Sequence, residues 1–296
     1  MSDWILEYLT ELKKELKGCD AATIQDALAD AEEHLRNAVE FGAEDDEDLD
    51  AEVQQSVISK YGLPGEIAQA YRDVEVYTEP VLGKRRMNGR KPALHRFVGV
   101  LADPGAWGAL LYLILSGFTG VLYFTWAVYG LALSLGMMVL VIGLPFTALF
   151  LLSVRWIAVL EGRIVEGLLG VRMPRKPLFT NRETSRWEQV KSLLLEKRTW
   201  LAVLYMILQA PTGILYFGVF ITLIASSIMF MASPILELAI KQPIIYLGPE
   251  VYYLQGWQMP ILVLTGFLLL LGTMHLAKIL GRLHGKLARS LLVDAS

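Results

Sequence analysis

Apolar residues recur every three to four positions through the first 78 residues, then merge into long runs without charge. Over 2–17, Ile5, Tyr8, Leu9, Leu12 and Leu16 share one helical face between Glu and Lys residues, which predicts an amphipathic helix. Gly18 is its natural stop. Asp20 offers an N-cap to a second helix carrying Ile24, Leu28, Ala31, Leu35 and Val39, ended at Gly42. The acidic segment AEDDEDLD repels itself and predicts a solvated turn. A third helix over 51–61 buries Val53, Val57 and Ile58. After Gly62, Pro64 suits the first turn of a fourth helix with Ile67, Ala70 and Tyr71. Residues 1–78 therefore predict a small helical domain.

The pattern then changes. Residues 104–154 contain no Asp, Glu, Lys or Arg. A membrane helix needs about 20 apolar residues, so this run predicts two spans, at 107–130 and 135–160, with a reversal near 130–136. Further spans are predicted at 200–231 and 261–280, separated by a mixed outer segment over 232–260. The expected fold class is all-α: a small helical domain, a linker over 79–96, and a polytopic four-helix transmembrane bundle over 97–296.

Charge divides the chain in the same place. Up to Glu79 there are 6 Lys/Arg against 21 Asp/Glu, a net −15, whereas the remainder is +12. The linker, the loop over 155–198 and the C-terminal segment are basic, and basic loops stay on the cytoplasmic side. Both termini are expected in the cytoplasm, with the protein in the cell membrane. The basic residues before the first span are read first as that topology signal. Arg85, Arg86, Arg90 and Lys91, with Arg155, Glu161 and Arg163 after the second span, are also candidate interfacial or lipid-headgroup residues. No secretory signal is expected, since the first residues are charged and amphipathic.

The apolar half matches itself. Residues 107–124 align with 200–217 at an offset of 93, with 11 of 18 positions identical, and 160–169 align with 283–292 at an offset of 123. This predicts a parallel two-span repeat with about 30 extra residues on the outer side of the second pair. Thr119 and Gly120, shared with Thr212 and Gly213, are candidate helix-packing residues, small enough for close approach and with a hydroxyl to bond across.

Two resemblances follow from particular residues. The stretches YLTELKKEL, ALADAEEHLRNAVE and VISKYGLPGEIAQAY resemble the HAAS domain, a small cytoplasmic helical module placed before membrane segments. Gly143-Leu144-Pro145, the stretch AVLEGR over 158–163, and Leu168-Leu169-Gly170-Val171 resemble the prokaryotic "putative sensor" four-span membrane domain. That resemblance implies sensing without naming a ligand, and association with transcriptional regulators and histidine kinases. The fourth span lacks a matching Gly-Leu-Pro.

Candidate chemistry is sparse. The uncharged runs are interrupted only by His275, so no proton relay is expected within the spans, and no phosphate loop or zinc-protease motif occurs. Cys19 is alone. Glu32, Glu33 and His34 are consecutive on a helix and point in different directions, so they do not converge on a metal. Glu161, Arg163 and Glu166 read as interfacial anchors. No metal or cofactor is expected. An acidic first domain disfavours nucleic acid.

These features point to a non-enzymatic membrane sensor or regulator that relays an envelope or membrane condition to a cytoplasmic protein partner through the first domain. Membrane lipids and a second copy of the chain are further expected partners. A small transporter or accessory subunit, and a membrane-embedded enzyme acting on lipid, are the alternatives. The candidate sensing segment is the outer one, with Glu237, Lys241, Tyr246, Glu250, Tyr252, Tyr253 and Trp257. A short interfacial helix is expected over 235–240, and a simple cap on the bundle is the other reading of the segment.

Overall fold

The computed structural model describes residues 3–42, 50–77, 97–137, 143–174, 194–240, 245–247, 250–252 and 254–293. Four helices form the first unit: α1 (Asp3–Glu15), α2 (Ala21–Gly42), α3 (Asp50–Tyr61) and α4 (Pro64–Tyr77). Their apolar faces meet in one core holding Ile5, Leu12, Leu16, Ala31, Leu35 and Val57. Two glycines end helices where the chain turns left-handed, Gly18 at φ 105° and Gly62 at φ 112°, a conformation costly for other residues. The Asp20 carboxylate accepts the Ala22 N–H at 2.9 Å and caps α2. Tyr8 reaches across the core and donates to the Gly62 carbonyl at 2.8 Å. Glu66 closes the start of α4 by accepting the Leu63 N–H at 3.1 Å.

The apolar half is built from α5 (Pro104–Met137), α6 (Gly143–Leu169), α7 (Lys197–Ile240) and α8 (Gln258–Leu292), preceded by a short 3₁₀ turn (Gly99–Ala102). Three helices, α5, α7 and α8, are long and apolar enough to cross a membrane. The chain is an all-α membrane protein with one minor addition. Between α7 and α8, β1 (Ile245–Leu247) pairs antiparallel with β2 (Glu250–Tyr252), Tyr246 opposite Val251.

The expected reversal near 130–136 is corrected, because α5 runs through both glycines to Met137. In an apolar surrounding the helix satisfies its own backbone, so glycine alone does not end it. Gly130 instead marks a close contact: a Cβ there would lie 2.0 Å from the Phe150 ring. The separate helix expected over 235–240 is likewise absent. Those residues continue α7, which carries Pro211 and Pro234 inside it. Gly143-Leu144-Pro145 opens α6, with Pro145 in the first turn, where a missing N–H costs little.

Helices α5 and α7 cross at their shared small residues. A Cβ on Gly120 would lie 2.4 Å from the Gln209 carbonyl oxygen, and one on Gly213 would lie 2.0 Å from that of Ser116. Ser116 and Gln209 are themselves 93 residues apart, so the contact is reciprocal. The sequence expectation that the hydroxyls of Thr119 and Thr212 bond across is corrected. They donate back to Leu115 and Leu208 of their own helices, at 3.4 and 2.8 Å.

Candidate functional site: a buried carboxylate ringed by tyrosines

A carboxylate moved out of water is very costly unless donors replace the water. Glu161 of α6 is 1% exposed, and two other helices supply its donors. Its Oε1 accepts from Tyr112 of α5 at 2.6 Å, Tyr205 of α7 at 3.0 Å and the Gln209 amide at 3.3 Å. Its Oε2 accepts from Tyr123 at 3.0 Å. The Tyr205 hydroxyl also lies 3.2 Å from His284 Nε2 of α8. Each phenol has one proton to give. With Tyr112 and Tyr205 both donating to Glu161, the Tyr205 oxygen accepts from His284, which assigns the proton to Nε2 by hydrogen-bond bookkeeping. The result is a chain of donors running from α8 through α7 to the carboxylate on α6.

The rings of Tyr112, Tyr205 and Tyr216 surround His284 at 5.2, 6.1 and 5.7 Å. Tyr112 and Tyr205 lie eight residues inside α5 and α7, about 12 Å at 1.5 Å per residue. The arrangement can hold a proton or pass one between Glu161 and His284, and it ties all four helices together.

Nearer the ends, two ion pairs cross the bundle. Lys278 of α8 pairs with Asp103 before α5, and Arg155 of α6 pairs with Glu196 before α7. Asp103 and Glu196 stand 93 residues apart, and Arg155 and Lys278 stand 123 apart, the two offsets of the sequence match. Trp107 and Trp200, also 93 apart, each donate to a carbonyl six residues upstream, Leu101 at 2.8 Å and Leu194 at 2.7 Å.

The first unit sits on this half through the head of α2. Ala22 is fully buried in the same core as Leu113, Met274 and Ala288. Asp20 pairs with Arg289 in the last turn of α8 at 2.7 Å.

The residues singled out from sequence distribute as follows. Glu161, expected as an interfacial anchor, is the centre of the buried cluster, a correction explained by the tyrosines that replace water around it. Arg155 is held by Glu196 and Thr199, whereas Arg163 is exposed. Arg85, Arg86, Arg90, Lys91, Lys241 and Tyr253 lie outside the described residues. Glu237 belongs to the end of α7, is 8% exposed, and accepts the Leu254 N–H at 2.9 Å. Tyr246 lies on β1, and Glu250 and Tyr252 on β2. Trp257 is exposed and donates to Gln255 at 2.7 Å. In the first unit Glu32 pairs with Arg36 at 2.8 Å, and His34 stacks on Tyr61 at 4.5 Å. These residues do not converge.

Sequence reasoning missed Tyr112, Tyr123, Tyr205, Gln209 and His284. A signal was present: Tyr112 matches Tyr205 at one offset, and Glu161 matches His284 at the other. Ending the spans at 160 and 280 left both ionisable residues just outside them.

A family model described as Putative sensor matches residues 112–292, and one described as HAAS matches residues 7–70. No curated protein and no solved structure matches the chain.

Proposed function

The chain belongs to the Putative sensor family, and from that premise we propose a non-enzymatic membrane sensor that relays the state of its bundle to a cytoplasmic protein partner through the HAAS domain. In this reading all four long helices span the bilayer as two repeated pairs, with both termini in the cytoplasm. The observation that carries it is the docking of α2. Ala22 is buried in the bundle core, and Asp20 is held by Arg289, so a shift of α8 is felt directly by the HAAS domain. A stimulus moves the bundle only by binding one of two arrangements better than the other.

The test places fluorophores at Lys13 and Arg163, both exposed, in the full chain carrying Cys19→Ser and reconstituted in bilayers of varied thickness and composition. The distance between them should change with the bilayer. A constant distance under every condition sinks the relay.

The Glu161–Tyr205–His284 chain favours a second reading, a small proton-coupled transporter, because ionisable groups inside a bundle commonly serve ion pathways. Proton flux into proteoliposomes that is lost in Glu161→Gln would support it over the sensor.

A further inference from the structure

We propose that a cleft between the HAAS domain and the bundle binds a phospholipid headgroup, one carrying both a phosphate and a terminal hydrogen-bond donor. This rests on the membrane placement argued above. The cleft, about 70 Å³, lies among Gln25 of α2, Arg155 and Ala158 of α6, Thr199 of α7, and Leu291 and Leu292 of α8. A water-sized position needs roughly 10–15 Å³, so the space holds about five such groups.

Gln25 sets the donor requirement. It is 8% exposed, and its Oε1 has no hydrogen-bond partner among the described residues. A buried acceptor without a donor is destabilising, so an occupant bearing N–H or O–H is favoured there. The charged side chains lining the cleft are Arg155, Arg198 and Glu196, a net +1 that suits a phosphate diester. The floor is apolar, which suits the glycerol and first acyl carbons.

One observation places the ligand in the bilayer and not in solution. Trp156 and Trp200, neighbours of Arg155 and Thr199, are 59% and 46% exposed, and exposed indoles settle at headgroup depth. The positions that match the cleft at the two sequence offsets are packed shut. Gly281, matching Ala158, approaches Ala109, matching Ala202, so closely that a Cβ there would lie 2.8 Å from the Ala109 Cβ. Gly285, matching Gly162, is similarly closed by Val171 at 2.7 Å. The opening is therefore specific to the side where α2 docks, and an occupant touches the HAAS domain and three bundle helices at once.

The test uses the full chain in nanodiscs and native mass spectrometry of the lipids it retains. Phosphatidylcholine has the phosphate but no donor; phosphatidylethanolamine and phosphatidylglycerol have both. The donor-bearing lipids should be retained roughly fivefold better, the worth of about one hydrogen bond. Gln25→Met, which keeps the volume and loses the acceptor, should abolish the preference. Ala158→Leu, which fills the cleft from α6, should abolish it independently. Equal retention of all three lipids overturns the proposal, as does a preference that survives both variants. Displacement of bound lipid by soluble glycerophosphoethanolamine at matched concentration would overturn the assignment to a bilayer lipid. Retention is read without any response, so a failed relay experiment leaves this result standing on its own.

Discussion

Tyr205 stands between Glu161 and His284, its hydroxyl 3.0 Å from the carboxylate and 3.2 Å from the imidazole. One phenol thus links the two ionisable residues that occupy matching places in the sequence. Glu161→Ala leaves several buried donors without an acceptor and should cost at least about 1–3 kcal/mol, the penalty of one buried donor left unpaired. Glu161→Gln keeps one carbonyl acceptor and should cost less. Thermal unfolding of the reconstituted chain, with folded yield as a control, gives the ranking; equal loss in both variants would contradict it.

The crossed ion pairs should differ in worth. The Arg155 and Glu196 side chains are 12% and 26% exposed, against 33% and 28% for Lys278 and Asp103. Exposed pairs contribute about 0.2–1 kcal/mol, so Asp103→Asn should lower stability slightly and Glu196→Gln more. Exchanging the partners as Arg155→Glu with Glu196→Arg should recover part of the loss of either single change. Absence of any recovery would mean that the pair acts through packing alone.

The crossing of α5 and α7 leaves no space for side chains. Gly213→Ala places a Cβ 2.0 Å from the Ser116 carbonyl oxygen. The helices must separate, at a cost of about 1–3 kcal/mol or more. Gly218→Ala, where a Cβ meets nothing within 4 Å, should be neutral in the same assay. Similar melting temperatures for the two variants would argue against the close crossing.

Burial raises the pKa of Glu32, with Arg36 acting in the opposite direction. The folded domain therefore holds this proton more tightly than the unfolded chain does. Its contribution favours folding below the unfolded value and declines as pH rises from there through the folded value. Glu32→Gln should flatten that part of the stability–pH curve of the full chain. An unchanged slope between acidic and neutral pH would exclude Glu32 as its source.

Much of the first unit was legible because local chemistry decides it. Gly18, Asp20, Gly62 and Pro64 bound helices in sequence and in structure alike, and the stripes through Leu12 and Leu35 are the core. The membrane half was legible as apolar helices, but their ends were not. A charge reads as the edge of a span, yet Glu161 lies inside the bundle because tyrosines from two other helices replace its water. Those donors come from residues 38 to 49 positions away, and no local pattern announces them. The two offsets held more than was read from them, since the residues they match also make matching ion pairs and tryptophan bonds.

The crossed pairs have a consequence for biogenesis. Asp103 meets Lys278 across 175 residues, and Arg155 meets Glu196 across 41. A chain made from its N-terminus delivers Asp103 and Arg155 to the membrane before either of these partners exists. The order of synthesis then sets the order of neutralisation: Arg155 first, when Glu196 emerges, and Asp103 last, when Lys278 arrives. A chain halted between those two events carries an acidic group at the head of α5 that still lacks its lysine, a mark by which quality control could tell an unfinished bundle from a finished one.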